Sequence, residues 1–397
     1  MALRLPRLNG DLFPLLLLLS VYGFALSLLL GRGSYKPCLY LCGYATLGIL
    51  ASTRPPRLDR DILAVVGLGA LLLGQGLAMA GDKLWGSAHT ALFGATLLVF
   101  ALRLLPDRLA QGRPPPHAAI AASLLLVAVL AHAIAYPLKL NQAGLYSNLH
   151  YLALFSVTTL PLLFYFAATI QNRLRWLCIL ALAVDFWLLL KTQSRPGYLA
   201  LLASALASLP FLSRRCQSLA LGSILLLPLG LYFSGLFGFA ARVDDLAANF
   251  LKEERMIIWR ETWAMQLRSP PLEWAFGHGF GAYFWNYQPI SSYHDKEDFT
   301  FPHNYFLEVL YSHGLLGLTL VVLAYASFFW KLAITTWRCQ DQTGTRFGIM
   351  LISVASAELV QSFLTLPLFS RHQLYPFGLL LGASLYYFRK YTPHERH

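Results

Sequence analysis

Charge is what this chain has least of. Only 13% of its 397 residues are Asp, Glu, Lys or Arg, where a soluble domain carries about 25%. A soluble globule of this length cannot be covered by so few ionised groups, so that class is excluded. Acid is the scarcer sign, at 19 residues against 31 Lys and Arg, for a net charge of +12. The basic residues stand singly in short loops, which argues against a nucleic-acid patch and for topology signals. Five cysteines, 38, 42, 178, 216 and 339, are spaced for neither a disulfide framework nor a zinc site. The chain also lacks internal repeats, low-complexity tracts and any separate soluble domain.

What is abundant is apolar surface, at 57% of residues. Runs long enough to cross a hydrocarbon layer of roughly 30 Å predict an all-α polytopic membrane protein of about twelve transmembrane helices. They fall near 11–30, 36–51, 61–80, 85–104, 118–136, 148–170, 174–191, 196–211, 217–237, 303–335, 346–365 and 373–389. The first run follows Arg4 and Arg7 and shows no small-residue cleavage site, so it reads as a retained anchor. If the spans alternate, Arg4, Arg7, Arg57, Arg60, Arg108, Arg113, Arg214, Arg215, Arg338, Arg346 and Arg389 share one side. The opposite short loops hold only Arg32, Lys36, Lys83, Lys139, Lys191, Arg195 and Arg371. That asymmetry predicts cytoplasmic termini and an even number of crossings. The whole chain, 1–397, then forms one transmembrane domain. Residues 238–302 form one large loop on the outer face, between the ninth and tenth spans, and loops of that kind carry function.

Within the loop, Leu246, Phe250, Ile257 and Leu267 recur near helical spacing and predict amphipathic helices resting at the interface. The second half, "PPLEWAFGHGFGAYFWNYQPISSYHDKEDFTFP", is irregular and punctuated by glycine. Trp274, Phe280, Tyr283, Trp285 and Tyr287 fit either a sugar path or an interfacial aromatic belt.

Several polar groups are candidates for chemistry. Asp59-Arg60-Asp61 has the D-x-D spacing of a metal-bound nucleotide diphosphate site, yet lies among arginines on the cytoplasmic side. His294, Asp295, Glu297 and Asp298 read as a solvated charge run before they read as cation ligands. Where the loop meets the tenth span, Pro302 suits the first turn of a helix. His303 then sits at the positive end of the helix dipole, which disfavours the imidazolium and keeps a neutral ring available as a general base. The alternative is a histidine that anchors a helix end. Gly314 and Gly317 let another helix approach. On the same outer face Arg195, before Pro196, together with Arg255 and Arg260 offers guanidinium forks for a diphosphate. Pairing with Glu253, Glu254 and Glu261 is the competing use. Asp185, Glu308 and Glu358 fall inside predicted helices and leave a transport reading open, although no inverted repeat accompanies them.

His303-Asn304, nine residues, Gly314, two residues and Gly317 fit the pattern H-[NSQ]-x9-G-x2-[GTY]; Arg195 and Leu199 fit R-x3-L; "RMIIW" and "GHGFGAYF" follow in the large loop. In these features the chain resembles the bacterial O-antigen ligases of the ligase and polymerase superfamily. The resemblance implies a membrane-embedded glycosyltransferase (GT-C-like) of the inner membrane, metal-independent and without cofactor. It would move O-antigen polysaccharide from undecaprenyl diphosphate to the lipid A core at the periplasmic face, with inversion. It implies that Arg195 and Arg255 neutralise the leaving diphosphate and that His303 activates the acceptor hydroxyl. Arg260, Asn304, Gly277, Gly279 and Gly281 would contact substrate. An O-antigen polymerase or a protein O-oligosaccharyltransferase would use the same donor.

Overall fold

The computed structural model describes residues 8–30, 35–52, 60–80, 88–109, 117–138, 145–146, 148–249, 253–292, 301–365 and 371–391. The expectations that fall on Arg4, Arg7, Arg32, Arg57, Asp59, Lys83, Arg113, Lys139, Phe250 and the 294–298 acidic cluster lie outside the described residues.

Each of the twelve apolar runs is a helix. They are α1 (Leu8–Leu29), α2 (Tyr35–Ser52), α3 (Arg60–Ala80), α4 (Ala88–Leu109), α5 (His117–Ala135), α6 (Leu149–Thr169), α7 (Leu174–Thr192), α8 (Arg195–Ser208) and α9 (Arg214–Ser234), followed after the loop by three more. The loop itself contributes α10 (Phe239–Asn249), α11 (Glu254–Leu267), α12 (Pro271–Phe276) and α13 (Ala282–Tyr287). The last three are α14 (Tyr305–Arg338), α15 (Gln342–Leu364) and α16 (Arg371–Tyr391). No strand occurs among the described residues.

Among the described residues six helices are long and apolar enough to cross a membrane, at Arg60–Ala80, Ala118–Ala135, Leu149–Thr169, Arg214–Ser234, Tyr305–Arg338 and Gln342–Leu364. The bundle is arranged around α15, which is buried without interruption from Met350 to Glu358 and packs on α6, α8, α14 and α16. A helix covered on all sides needs no polar face. At the other extreme, α9 has no buried residue, and Leu219, Leu225 and Phe233 are 73%, 70% and 77% exposed. An apolar helix bare on every side is tolerable only where lipid replaces water.

The loop departs from expectation in its buried stripe. On α11 the buried positions are Ile258, Thr262 and Gln266, whereas Ile257 is half-buried and Leu267 exposed. The inner face meets Tyr283, Tyr287 and Tyr311, so hydroxyl and amide groups suit it. The Thr262 hydroxyl lies 2.9 Å from that of Tyr283, whose phenol is held well above its ordinary pKa by burial. Phe280, Tyr283 and Tyr287 are therefore core residues, and of the five aromatics expected along a sugar path only Trp274 and Trp285 reach the surface.

Candidate active site

The loop is fastened to the bundle by a break in α14. Gly314 adopts φ 63° and ψ −168°, which interrupts the helix and frees the carbonyls of Tyr311 and Ser312. The glycine-rich segment supplies the missing donors: His278 N–H donates to Tyr311 O and Gly279 N–H to Ser312 O, each at 2.9 Å. Phe280 N–H donates to Gly76 O of α3 at 3.1 Å. From α3, the Gln75 amide donates to the carbonyls of Phe276 and His313, both at 2.8 Å. A Cβ on Gly277 would stand 2.3 Å from the His313 nitrogen, and one on Gly279 2.2 Å from the Ala80 nitrogen. Both positions thus face protein backbone. Gly281 ends the segment at φ 81°, immediately before α13. Gly314 admits another helix, as the sequence suggested: it is the end of the short loop helix α12, since a Cβ on Gly314 would meet Ala275 and Gly277.

At the other end of this piece of α14, the helix starts two residues later than Pro302 predicts. Asn304 is the N-cap, in an extended conformation, and its Oδ1 accepts from Leu307 N–H at 3.1 Å. A side-chain acceptor satisfies a helix terminus directly, an advantage Pro302 lacks. The Asn304 carbonyl side is thereby committed to capping. His303 precedes the cap at φ 51°, a left-handed conformation that costs a non-glycine residue about 1–2 kcal/mol. The strain turns its ring onto the C-terminus of α15, with Nδ1 3.0 Å from Thr365 O and the ring 4.3 Å from that of Phe301. A carbonyl only accepts, so Nδ1 carries the hydrogen, and in the neutral ring the lone pair is on Nε2. A helix C-terminal carbonyl is also a partner for the positive charge that a proton on Nε2 would bring.

The arginines occupy distinct environments. Arg195 opens α8 behind the Ser194 cap, whose Oγ accepts from Gly197 N–H at 3.2 Å. Its fork is engaged by two carboxylates, Nη1 with Glu253 at 3.0 Å and Nη2 with Asp245 at 2.5 Å. Arg255, in the first turn of α11, is half-buried and places Nη2 3.4 Å from His150 Nε2 on α6. Burial pulls its guanidinium below the usual range, Glu253 opposes this, and Arg195 adds to it. Arg260 lies about 140° further round α11 and is exposed, so it does not share the inner face with Arg255. Glu261 takes neither arginine; it accepts from Tyr287 Oη at 2.7 Å and from the Ser292 hydroxyl.

Arg195 pairs with Glu253 and Arg255 meets His150, and His303 lies near enough to act on His150 through space. Arg195 acts electrostatically on Arg255, and Arg255 and His303 both act on His150. The Gln361 amide reaches His150 O at 3.5 Å, tying α15 to α6 beside it. Such a group can bind a diphosphate and accept a proton within one small volume. Sequence reading missed His150, Gln361 and Thr365. His150 lies 105 residues from Arg255, and its only local signal is the Asn148 cap, which accepts from His150 N–H at 2.7 Å.

The other candidates lie elsewhere. Asp61 pairs with Lys331 of α14, which gives the D-x-D acid a structural partner. Asp185 is buried and accepts from the Thr159 hydroxyl. Glu358 is buried in α15 beside a 560 Å³ cavity that none of His303, Arg195 or Arg255 lines.

No curated protein matches the chain. Residues 176–322, from α7 through the loop to the break in α14 and just beyond, match the O-antigen ligase family model. This stretch holds Arg195, Arg255 and His303, and over it the chain is similar to the O-antigen ligases.

Proposed function

We propose that the protein transfers O-antigen polysaccharide from undecaprenyl diphosphate to a sugar hydroxyl of the lipid A core at the periplasmic face of the inner membrane. In this reading all twelve apolar helices cross the membrane, both termini are cytoplasmic, and the group around His303 faces the periplasm. A periplasmic site has no access to nucleotide sugars, so its activated donor arrives on a lipid.

The observation that supports the proposal is that Arg255 contacts His150 and feels the charge of Arg195, while His303, whose Nδ1 lies 3.0 Å from the Thr365 carbonyl, acts on the same histidine. Arg255, with Arg195, takes up the charge that develops on the diphosphate as the bond to the anomeric carbon breaks. His303 Nε2 receives the proton of the acceptor hydroxyl as its oxygen bonds to the opposite face of that carbon. One displacement inverts the configuration, and no metal enters the step. Asn304 orients the start of α14 beside His303, and Arg260 is a contact for the outer, glycan-bearing side of the donor. Gly281 is the one glycine of the segment whose backbone remains a substrate contact in this reading.

The test is purified protein supplied with a lipid-linked glycan, with and without lipid A core. Product only when core is present supports ligation. Self-extension of the glycan indicates a polymerase, glycan on an added peptide a protein transferase, and movement without bond formation a transporter.

A further inference from the structure

The two inner arginines are held in opposite ways. Arg195 is held by carboxylates, with Asp245 and Glu253 on the two ends of its fork. Arg255 makes its hydrogen bond to a ring nitrogen, His150 Nε2 at 3.4 Å. Glu253 and Glu254 act on it through space.

A guanidinium has donors and no acceptor. The contact therefore requires the lone pair on His150 Nε2, which makes the imidazole neutral and puts its hydrogen on Nδ1. Among the described residues no group meets that buried Nδ1 atom. The ring is located by its backbone: Asn148 caps the turn below it, and Gln361 reaches its carbonyl from α15.

We propose that His150 is a positioning residue for glycan transfer, a neutral acceptor that orients the Arg255 fork toward the donor diphosphate without cancelling its charge. The inference rests on the function proposed above. A carboxylate at position 150 would hold the guanidinium more firmly, but it would also compete with the diphosphate for the same charge and present a like charge to the incoming phosphates. A neutral acceptor fixes the direction of the fork and leaves the charge available. In this division of labour Arg255 meets the phosphates directly, while Arg195, engaged by Asp245 and Glu253, fastens α8 to the loop and adds its charge from beside Arg255.

The distinction between holding and neutralising gives the test. Full-length protein and its His150→Gln, His150→Ala and His150→Glu variants would be assayed for binding of a polyprenyl diphosphate that carries no glycan, for KM and kcat in transfer, and for melting temperature. Glutamine keeps a neutral acceptor and should bind within about threefold of the parent. Alanine, which frees the fork, should bind roughly tenfold more weakly, the size of one charge-assisted hydrogen bond. Glutamate should melt no lower than alanine and yet bind the diphosphate more weakly than it does, with the loss in KM for donor. Glutamate binding as tightly as glutamine, or glutamine binding no better than alanine, overturns the inference; the second comparison decides even if the glutamate variant fails to fold. A parent protein that binds no polyprenyl diphosphate overturns the proposed function itself, and this inference with it.

Discussion

Replacing Gly279 with alanine asks whether the glycine-rich segment is a latch or a ligand contact. The new Cβ would stand 2.2 Å from Ala80 N and 2.5 Å from Ala80 Cα, backbone atoms that no rotamer change can move. At φ 84° the residue also resists a side chain. The segment must lift from α3 and α14, losing the bonds from His278, Gly279 and Phe280 to Tyr311, Ser312 and Gly76. Three net backbone bonds at about 1 kcal/mol each, with about 1 kcal/mol of backbone strain, come to roughly 3–5 kcal/mol. The control is Gly222→Ala in α9, where nothing lies within 4 Å of the added methyl and the helix gains about 0.5–1 kcal/mol. Melting of the detergent-purified proteins, followed by intrinsic fluorescence, should rank Gly279→Ala well below the parent and Gly222→Ala at or slightly above it. A Gly279→Ala protein that melts with the parent but no longer binds glycan would refute the latch and restore a substrate role to that glycine.

Three further outcomes are expected. His303→Ala should lose about 10²–10⁴-fold in transfer rate, the range of one general-base contribution, and should keep its affinity for polyprenyl diphosphate; a folded variant working at the parental rate removes the base assignment. Transfer should persist in excess EDTA, and a loss restored by Mg²⁺ or Mn²⁺ would return the 294–298 carboxylates to consideration as ligands. A cysteine at Ser292 should react with an impermeant thiol reagent added from outside while one at Ala110 does not; the reverse pattern inverts the orientation and puts the site on the wrong side.

Helix positions were legible because the apolar runs that cross a bilayer carry their own length, and α3, α6 and α7 begin or end within two residues of those runs. Arg195, Arg255 and His303 stood out in the sequence because arginines expected on the outer face and a histidine expected at a span boundary are unusual. Other features depended on contacts remote in sequence. The buried stripe of α11 contains Thr262 and Gln266, which a search for apolar periodicity passes over, and they are buried because tyrosine hydroxyls face them. Pro302 competed with Asn304 for the start of α14, and the side-chain cap prevailed. His150 and Thr365 became part of the site only when α6 and α15 packed together.

The spacing of the histidine pattern acquires a physical meaning from the two ends of one short helix. Between the Asn304 cap and the break at Gly314 lie the nine residues Tyr305 to His313, a strut about 13 Å long. One end carries His303, pinned to Thr365 O; the other is clamped by Gln75 and by the bond from His313 Nε2 to Leu72 O at 3.1 Å. Beyond the break the chain folds back closely enough that a Cβ on Gly317 would stand 2.2 Å from His313 Cβ. The interval between histidine and first glycine is thus a length and a rotation. One alanine inserted between Leu307 and Glu308 lengthens the strut by about 1.5 Å and turns its ends by about 100° relative to each other. The clamp at Gly314 and the contact at Thr365 cannot then both form. Misplacement by about 1 Å is enough to cost about 10²-fold in rate, so the insertion should abolish most transfer even where polyprenyl diphosphate binding, which the proposed function places on α8 and α11, survives. A folded insertion variant that transfers glycan at the parental rate would show that His303 is not positioned by this strut.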